Sequence, residues 1–283
     1  MNILMALSQL EVTGAEVYAT TVGNELTRRG HNVFYVSDTL TKPTQGPVFK
    51  LRFNKRSILR RFWHVFYLIY LIRKHHIQLV HAHSRASGWS SYVACKLTGT
   101  PMITTVHGRQ PVHASRKAFH ALGYRAVAVC EDIARQIIDN LGVDPAMVQV
   151  LRNGIETDKF QPVPIPDNDK PVIAIIGRLS GPKGELCYRL LDEVLDLEAC
   201  RVRVVSGTQV PARFARFQDK VDFVGYVDDV PALMAGCDLV IGAGRVAMEA
   251  LLCGRPAFAI GEARAIGLVT EQNLDEALAS NFG

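Results

Sequence analysis

The stretch PVIAIIGRLSGPKGELCYRL, residues 171–190, joins an apolar run to a glycine-rich turn carrying Arg178 and Lys183, and then to a segment of helical period. An unbroken apolar run ending in glycine reads as a strand buried on both faces, the kind a parallel sheet requires. The same unit recurs on either side. Before it come NILMAL with helical period over 15–29, NVFYVS with 55–74, IQLVHAH with 87–98, MITTVHG with 114–122, AVAVC with 131–141, and VQVL. Beyond VIAIIG and its helix over 184–197 come RVRVVSG with 211–218, VDFVG with 229–235, DLVIGAG with 245–253, and PAFAIG. Strands alternating with helices predict parallel sheets covered on both faces. Between the two series, QPVPIPDNDKP (161–171) has four prolines and no periodicity, and reads as a linker. The expected fold is α/β: two tandem Rossmann-like, doubly wound parallel-sheet domains, residues 1–160 and 172–283. In open parallel sheets ligands sit beyond the carboxyl ends of the strands. Gly14, His107, Arg178, Lys183 and the GAGR turn all fall there, so two domains facing each other across a cleft would surround one ligand with them.

Composition narrows the class. With 48% hydrophobic and 21% charged residues, the 283-residue chain is that of a soluble globular protein. Its apolar run VFYLIYLI (65–72) falls far short of the roughly 20 residues a membrane span needs. The N-terminus shows neither a basic n-region nor a small-residue cleavage site, so no signal peptide is expected. Cys95, Cys130, Cys187, Cys200, Cys237 and Cys253 lack C-x-x-C spacing, which argues against a zinc ribbon or a disulfide framework and fits a reducing cytoplasm. A net charge of +5 and a pI near 8.9 permit an anionic partner such as a membrane surface, nucleic acid or phosphorylated substrate, without choosing among them.

The turn at 177–184 calls for an anion by an unusual scheme. An ATPase phosphate loop needs Gly-Lys-Ser/Thr, whereas Lys183 stands between Pro182 and Gly184. The first strand runs into SQLEVTGAE without the dinucleotide fingerprint. Two cations on a glycine loop can still neutralise a diphosphate, Arg178 by bidentate contact and Lys183 as a point charge, although a solvated basic loop carries the same letters. GAGRVAMEALLCG (242–254) follows a strand, opens with glycines that allow close backbone approach, and continues as a helix whose N-terminus favours phosphate. Glu249, about one turn in, could reach ribose hydroxyls; a tight turn with a solvated glutamate is the alternative. In EVTGAE (11–16), Thr13 and Glu16 have capping-box spacing, and Gly14 leaves room for a ligand or simply for a turn. His81, His83 and His107 gather at two strand ends, but no supporting carboxylate or cysteine spacing accompanies them, so no metal is expected. His107, before Gly108, is the one of the three best placed to touch substrate. In RFNKRSILRRFWHVFYLIYLIRKHH (52–76), an apolar stripe of Ile58, Phe62, Val65, Phe66 and Ile69 is expected to pack on the sheet and leave the charges in water. The alternative sets the basic, Trp-containing end on an anionic bilayer.

Nearly end to end, these motifs resemble the retaining bacterial glycosyltransferases of family 4 (GT4), which have GT-B architecture. VTGAEVYATTVGNELTRRGHNVFYVS resembles the family's opening loop, helix and second strand, and IQLVHAHSRASGWSSYVACKLTGTPMITTVHG its third and fourth strands. AVAVCEDIARQIIDNLGVDPAMVQVLRNGIETDKF is similar to the segment closing the first domain; GRLSGPKG and CDLVIGAGRVAMEALLCGRP are similar to the donor-site motifs. The resemblance implies transfer of a hexose from a nucleotide sugar, a UDP-sugar above all, to a cell-surface glycan or lipid-linked acceptor, with retention. It implies no metal or other cofactor. The expected protein is cytoplasmic with no nucleic-acid partner, and only the bilayer alternative for 52–76 would set it at the inner face of the cell membrane. Carried over by residue, Arg178 and Lys183 bind the diphosphate, Glu249 the ribose, Gly14 lies by the phosphates, and His107 sits near the transferred sugar; Gly244 and Arg245 are expected among the residues that bind the donor nucleotide.

This sequence departs from the family pattern at three places. Ile241 stands where many members have a second glutamate for the donor sugar, which brings Arg245 forward as a participant. Thr13 replaces the first of two adjacent glycines. Family chains usually continue past LASNFG, so a fragment or a short second domain is expected. Two other readings share parts of the pattern: a UDP-sugar 2-epimerase-like enzyme, which would add an acidic pair near the sugar, and a non-catalytic nucleotide-sugar binder.

Overall fold

A computed structural model describes residues 1–8, 14–53 and 57–283, with only the backbone of Ile58. The chain divides into two compact units, Met1–Arg152 and Asn153–Gly283.

The first unit contains β1 (Asn2–Ala6), α1 (Gly14–Arg28), β2 (Asn32–Ser37), β3 (Val48–Lys50), α2 (Ile58–Lys74), β4 (Leu79–Ala82), α3 (Arg85–Thr98), β5 (Met102–Val106), α4 (Ala114–Ala118), β6 (Arg125–Ala128), α5 (Glu131–Arg135) and β7 (Val148–Val150). Its seven strands pair in parallel in the order β3-β2-β1-β4-β5-β6-β7. Alternation along β1 sends Ile3 and Met5 into a cluster with Ala19 and Tyr35, and Leu4 and Ala6 into another with Leu68, Val80 and Ala82. Strand order reverses at β1, so the switch point opens between β1 and β4.

The second unit follows the same logic with β8 (Val172–Ile176), α6 (Gly181–Arg189), β9 (Arg201–Val205), β10 (Val221–Gly225), α7 (Val230–Ala235), β11 (Leu239–Gly242), α8 (Arg245–Leu252), β12 (Ala257–Ile260), β13 (Ala265–Leu268) and α9 (Leu274–Ala279). The order is β10-β9-β8-β11-β12-β13, parallel except for the antiparallel edge pair β12–β13. Here the switch point lies between β8 and β11.

Several expectations need correction. Residues 153–160 belong with the second unit: Phe160 is buried in its core, and the Gly154 carbonyl accepts from Arg245. The proline-rich segment is also tied down, because the buried Arg255 Nη2 donates to the carbonyls of Val163 (2.7 Å) and Pro164. The α6 helix starts at Gly181, three residues early, since Pro182 suits a first helical turn where no N–H partner is needed. Residues 114–122 give only a five-residue helix, and 211–218 a 3₁₀ segment at Ala212–Phe217. Most consequential is α2. It buries His64, Val65, Leu68, Leu71 and Ile72, while Phe62 and Phe66 of the expected inward stripe face solvent. Among the described residues, no helix is long and apolar enough to cross a membrane.

Candidate functional site

The β8–α6 turn builds one wall of the second unit's switch point. Gly177 leaves β8, Arg178 points outward, Leu179 is buried, and extended Ser180 precedes α6. Lys183 therefore sits in the first turn of α6, half-buried beside Arg178. A cation there opposes the positive end of the helix dipole. Burial lowers the Lys183 ammonium below its usual range, Arg178 pushes it further, and Glu262 partly offsets both. Two cations at a helix N-terminus form an arrangement that an anion would relieve. Arg178 has a loose, exposed partner in Glu262, Nη2 to Oε1 3.7 Å, an ion pair of the kind worth little in water. Arg178 and Lys183 share a small cavity with the β11 turn at Ile241, Gly242 and Ala243, floored by Ile175 and Cys187. Close packing sets the geometry: a Cβ on Gly184 would lie 2.2 Å from the Leu179 carbonyl oxygen.

The β11–α8 turn forms the other wall. Gly244, at φ 60° and ψ −130°, precedes α8 in a conformation that favours glycine, and its N–H donates to the Asn281 carbonyl at 3.0 Å. Arg245 and Glu249 are both buried, one helical turn apart, and pair with each other, Nη2 to Oε1 3.2 Å. Arg245 Nη1 also donates to the Gly154 carbonyl at 2.6 Å. Arg245 is thus a strut between α8 and the segment entering the unit.

In the first unit the switch point holds the histidines. His81 is the penultimate residue of β4, His83 follows that strand, and His107 follows the neighbouring β5. His83 Nδ1 lies 3.2 Å from His107 Nε2, and His81 Nε2 lies 2.7 Å from the Thr105 hydroxyl. Tyr18 packs edge-on to His107, ring centroids 5.0 Å apart. Burial lowers the His81 imidazole to about 4 and His107 to about 3, and takes His83 well below its ordinary value. These rings are neutral at physiological pH. Among the described residues, no group of three or more His, Cys, Asp or Glu is arranged to hold a metal ion. Gly14 opens α1 at the surface with free space where a Cβ would be. Thr13 lies outside the described residues. Glu16 is buried, its Oε1 accepting from the Thr41 and Lys42 backbone N–H groups at 2.7 and 2.8 Å, which anchors the loop after β2 to α1.

Residues 12–159, more than half of the chain, match the profile of Glycosyltransferase Family 4. The chain belongs to this family. It is similar to the alpha-maltose-1-phosphate synthase of Mycolicibacterium smegmatis, 26% identical over 133 residues that cover 38% of this chain and 34% of the relative. It is also similar to the D-inositol 3-phosphate glycosyltransferase of Mycobacterium bovis, 26% identical over 227 residues that cover 64% of this chain and 46% of the relative. These matches span less than half the length of either curated relative. Anabaena HepE, solved in complex with UDP-glucose, superposes with a TM-score of 0.76 at 19% identity over 99% of this chain and 93% of HepE. That likeness is one of fold, the tandem Rossmann-like GT-B arrangement.

Some neighbours of the candidate residues were out of reach of motif reading. Glu262 meets Arg178, Asn281 meets Gly244, and Tyr18 meets His107, all from distant positions in the sequence. The spacing of Arg245 and Glu249, four residues apart on a helix, was the one available signal for their pairing.

Proposed function

We propose that this protein transfers a hexose from a nucleoside diphosphate sugar, with UDP as the carrier, to a glycan or lipid-linked acceptor, retaining the anomeric configuration. One observation carries the donor assignment: Arg178 and Lys183 converge with the Gly242–Ala243 turn on a single cavity at a switch point, beside the N-termini of α6 and α8. A departing nucleoside diphosphate gains negative charge in the transition state. Cations and helix N-termini fixed in advance around the β-phosphate stabilise that charge without rearrangement. In this reading no divalent ion is assigned to the step. Arg178 and Lys183 hold the diphosphate, Gly244 lets the α8 backbone approach it, Glu249 takes the ribose hydroxyls, and Arg245 orients Glu249. Gly14 and a neutral His107 serve the sugar side, where an uncharged imidazole can donate or accept a hydrogen bond from a hydroxyl. The UDP-glucose bound to HepE supports the choice of carrier.

Calorimetric titration without added metal, using UDP, GDP and ADP, tests the donor assignment. UDP should bind, and Lys183→Ala and Glu249→Ala should each weaken it roughly 10- to 100-fold, the range for losing a hydrogen bond to a charged group. Unchanged affinity in both variants would put the donor elsewhere. Turnover followed by proton NMR of the product anomer tests retention.

A further inference from the structure

The side of α2 that faces away from the sheet is apolar. Leu59, Phe62, Trp63, Phe66 and Tyr70 are 77, 61, 64, 66 and 50% exposed. Their spacing puts them along one side of the helix, opposite the buried His64, Val65, Leu68, Leu71 and Ile72. Among the described residues, no other element gathers as many exposed large apolar side chains. Trp63 stacks on Tyr67 and Tyr67 on Tyr70, with centroids 6.4 and 6.2 Å apart, so the rings form one continuous row. A soluble surface rarely keeps such a row without a partner.

The charges that α2 itself carries have one sign. From Thr39 to Cys130 the sequence contains fifteen Lys and Arg and no Asp or Glu. Arg60 stands exposed at the start of α2, and Arg73 and Lys74 at its end. Lys74 Nζ reaches the Tyr70 hydroxyl at 2.7 Å, which brings a cation onto the end of the aromatic row. A second copy docked on this face would bring like cations together with no carboxylate on α2 to pair them. A nucleic acid would match the cations but offer no apolar phase for Leu59, Phe62 and Phe66. An anionic bilayer offers both, with phosphates at the level of the cations and acyl chains below.

We propose that this face of α2 docks on an anionic lipid bilayer. The helix lies in the interface plane with Leu59, Phe62, Trp63 and Phe66 in the headgroup–acyl boundary, and Arg60, Arg73 and Lys74 on lipid phosphates. The inference stands apart from the donor assignment, which concerns the other unit.

The test is co-sedimentation of the whole chain with vesicles of phosphatidylcholine alone and of phosphatidylcholine mixed with phosphatidylglycerol. Binding should require the anionic lipid. Phe62→Ser with Phe66→Ser should lower the partition coefficient by roughly tenfold or more for each ring withdrawn from the bilayer. Arg60→Gln, Arg73→Gln and Lys74→Gln together should lower it about 100-fold, each cation contributing a factor of about five. Both variants should keep the wild-type circular dichroism and thermal transition, because every altered side chain is exposed. Equal binding to neutral vesicles, no binding to either, or binding undiminished in the serine variant would overturn the proposal. So would a dimer in solution that the serine variant abolishes, which would assign the face to a second copy.

Discussion

Replacing His81 by asparagine should make the first unit less sensitive to acid. In the folded chain, burial takes the His81 imidazole down to about 4, whereas an unfolded histidine titrates near 6.5. Below pH 6.5 the unfolded chain takes up a proton that the folded chain refuses. Stability therefore falls as the pH drops through 6.5, and goes on falling until the folded value is reached. Between pH 7 and pH 5 this amounts to about 2 kcal/mol from His81 alone. His83, lowered in the same direction, adds to it. Asparagine is too short to keep the bond that Nε2 makes to the Thr105 hydroxyl, but it has no proton to gain. The chain's two tryptophans, Trp63 and Trp89, both lie in the first unit, so urea unfolding followed by tryptophan fluorescence reports on that unit. The variant should start less stable at pH 7 through lost packing, yet lose about 2 kcal/mol less than wild type on going to pH 5. Equal losses in the two proteins would refute the assignment of a neutral, buried His81.

Two further substitutions probe the second unit. Arg245→Met removes a buried guanidinium from both Glu249 and the Gly154 carbonyl, and should cost on the order of 3 kcal/mol in calorimetric unfolding; a loss below about 1 kcal/mol would mean the strut bears little. Gly184→Ala pushes a methyl against the Leu179 carbonyl and should destabilise by about 1–3 kcal/mol. Because Lys183 moves with the start of α6, UDP affinity should fall in the same variant, and affinity equal to wild type would show that the register of α6 does not set the site.

Much of the architecture is legible in the sequence because strands of a parallel sheet are shielded on both sides. VIAII and NILMA are therefore almost wholly apolar, and glycine marks where several such strands turn into helices. Two of the edge strands are another matter: VFK at 48–50 and AIGL at 265–268 are too short to stand out. In α2 the difficulty is an excess of signal. Nearly every residue from Phe62 to Ile72 is apolar, so periodicity says helix but cannot say which side meets the sheet. The cations of the β8 turn are legible as a candidate anion site because they stand among glycines before a helix. The pairs Arg245–Gly154 and Arg255–Val163 join residues 91 and 92 apart in sequence, and no local spacing encodes them.

The Arg245–Glu249 pair has a consequence for the entropy of recognition. A free glutamate on a surface helix samples many rotamers, and fixing it costs as much as about 1.5–2 kcal/mol. Here folding has already restricted that carboxylate, since Arg245 grips it while itself held by a backbone carbonyl. A diol arriving at Glu249 would meet a side chain with little freedom left to lose. Its association should accordingly carry a smaller entropic penalty than a flexible acid in the same place would impose.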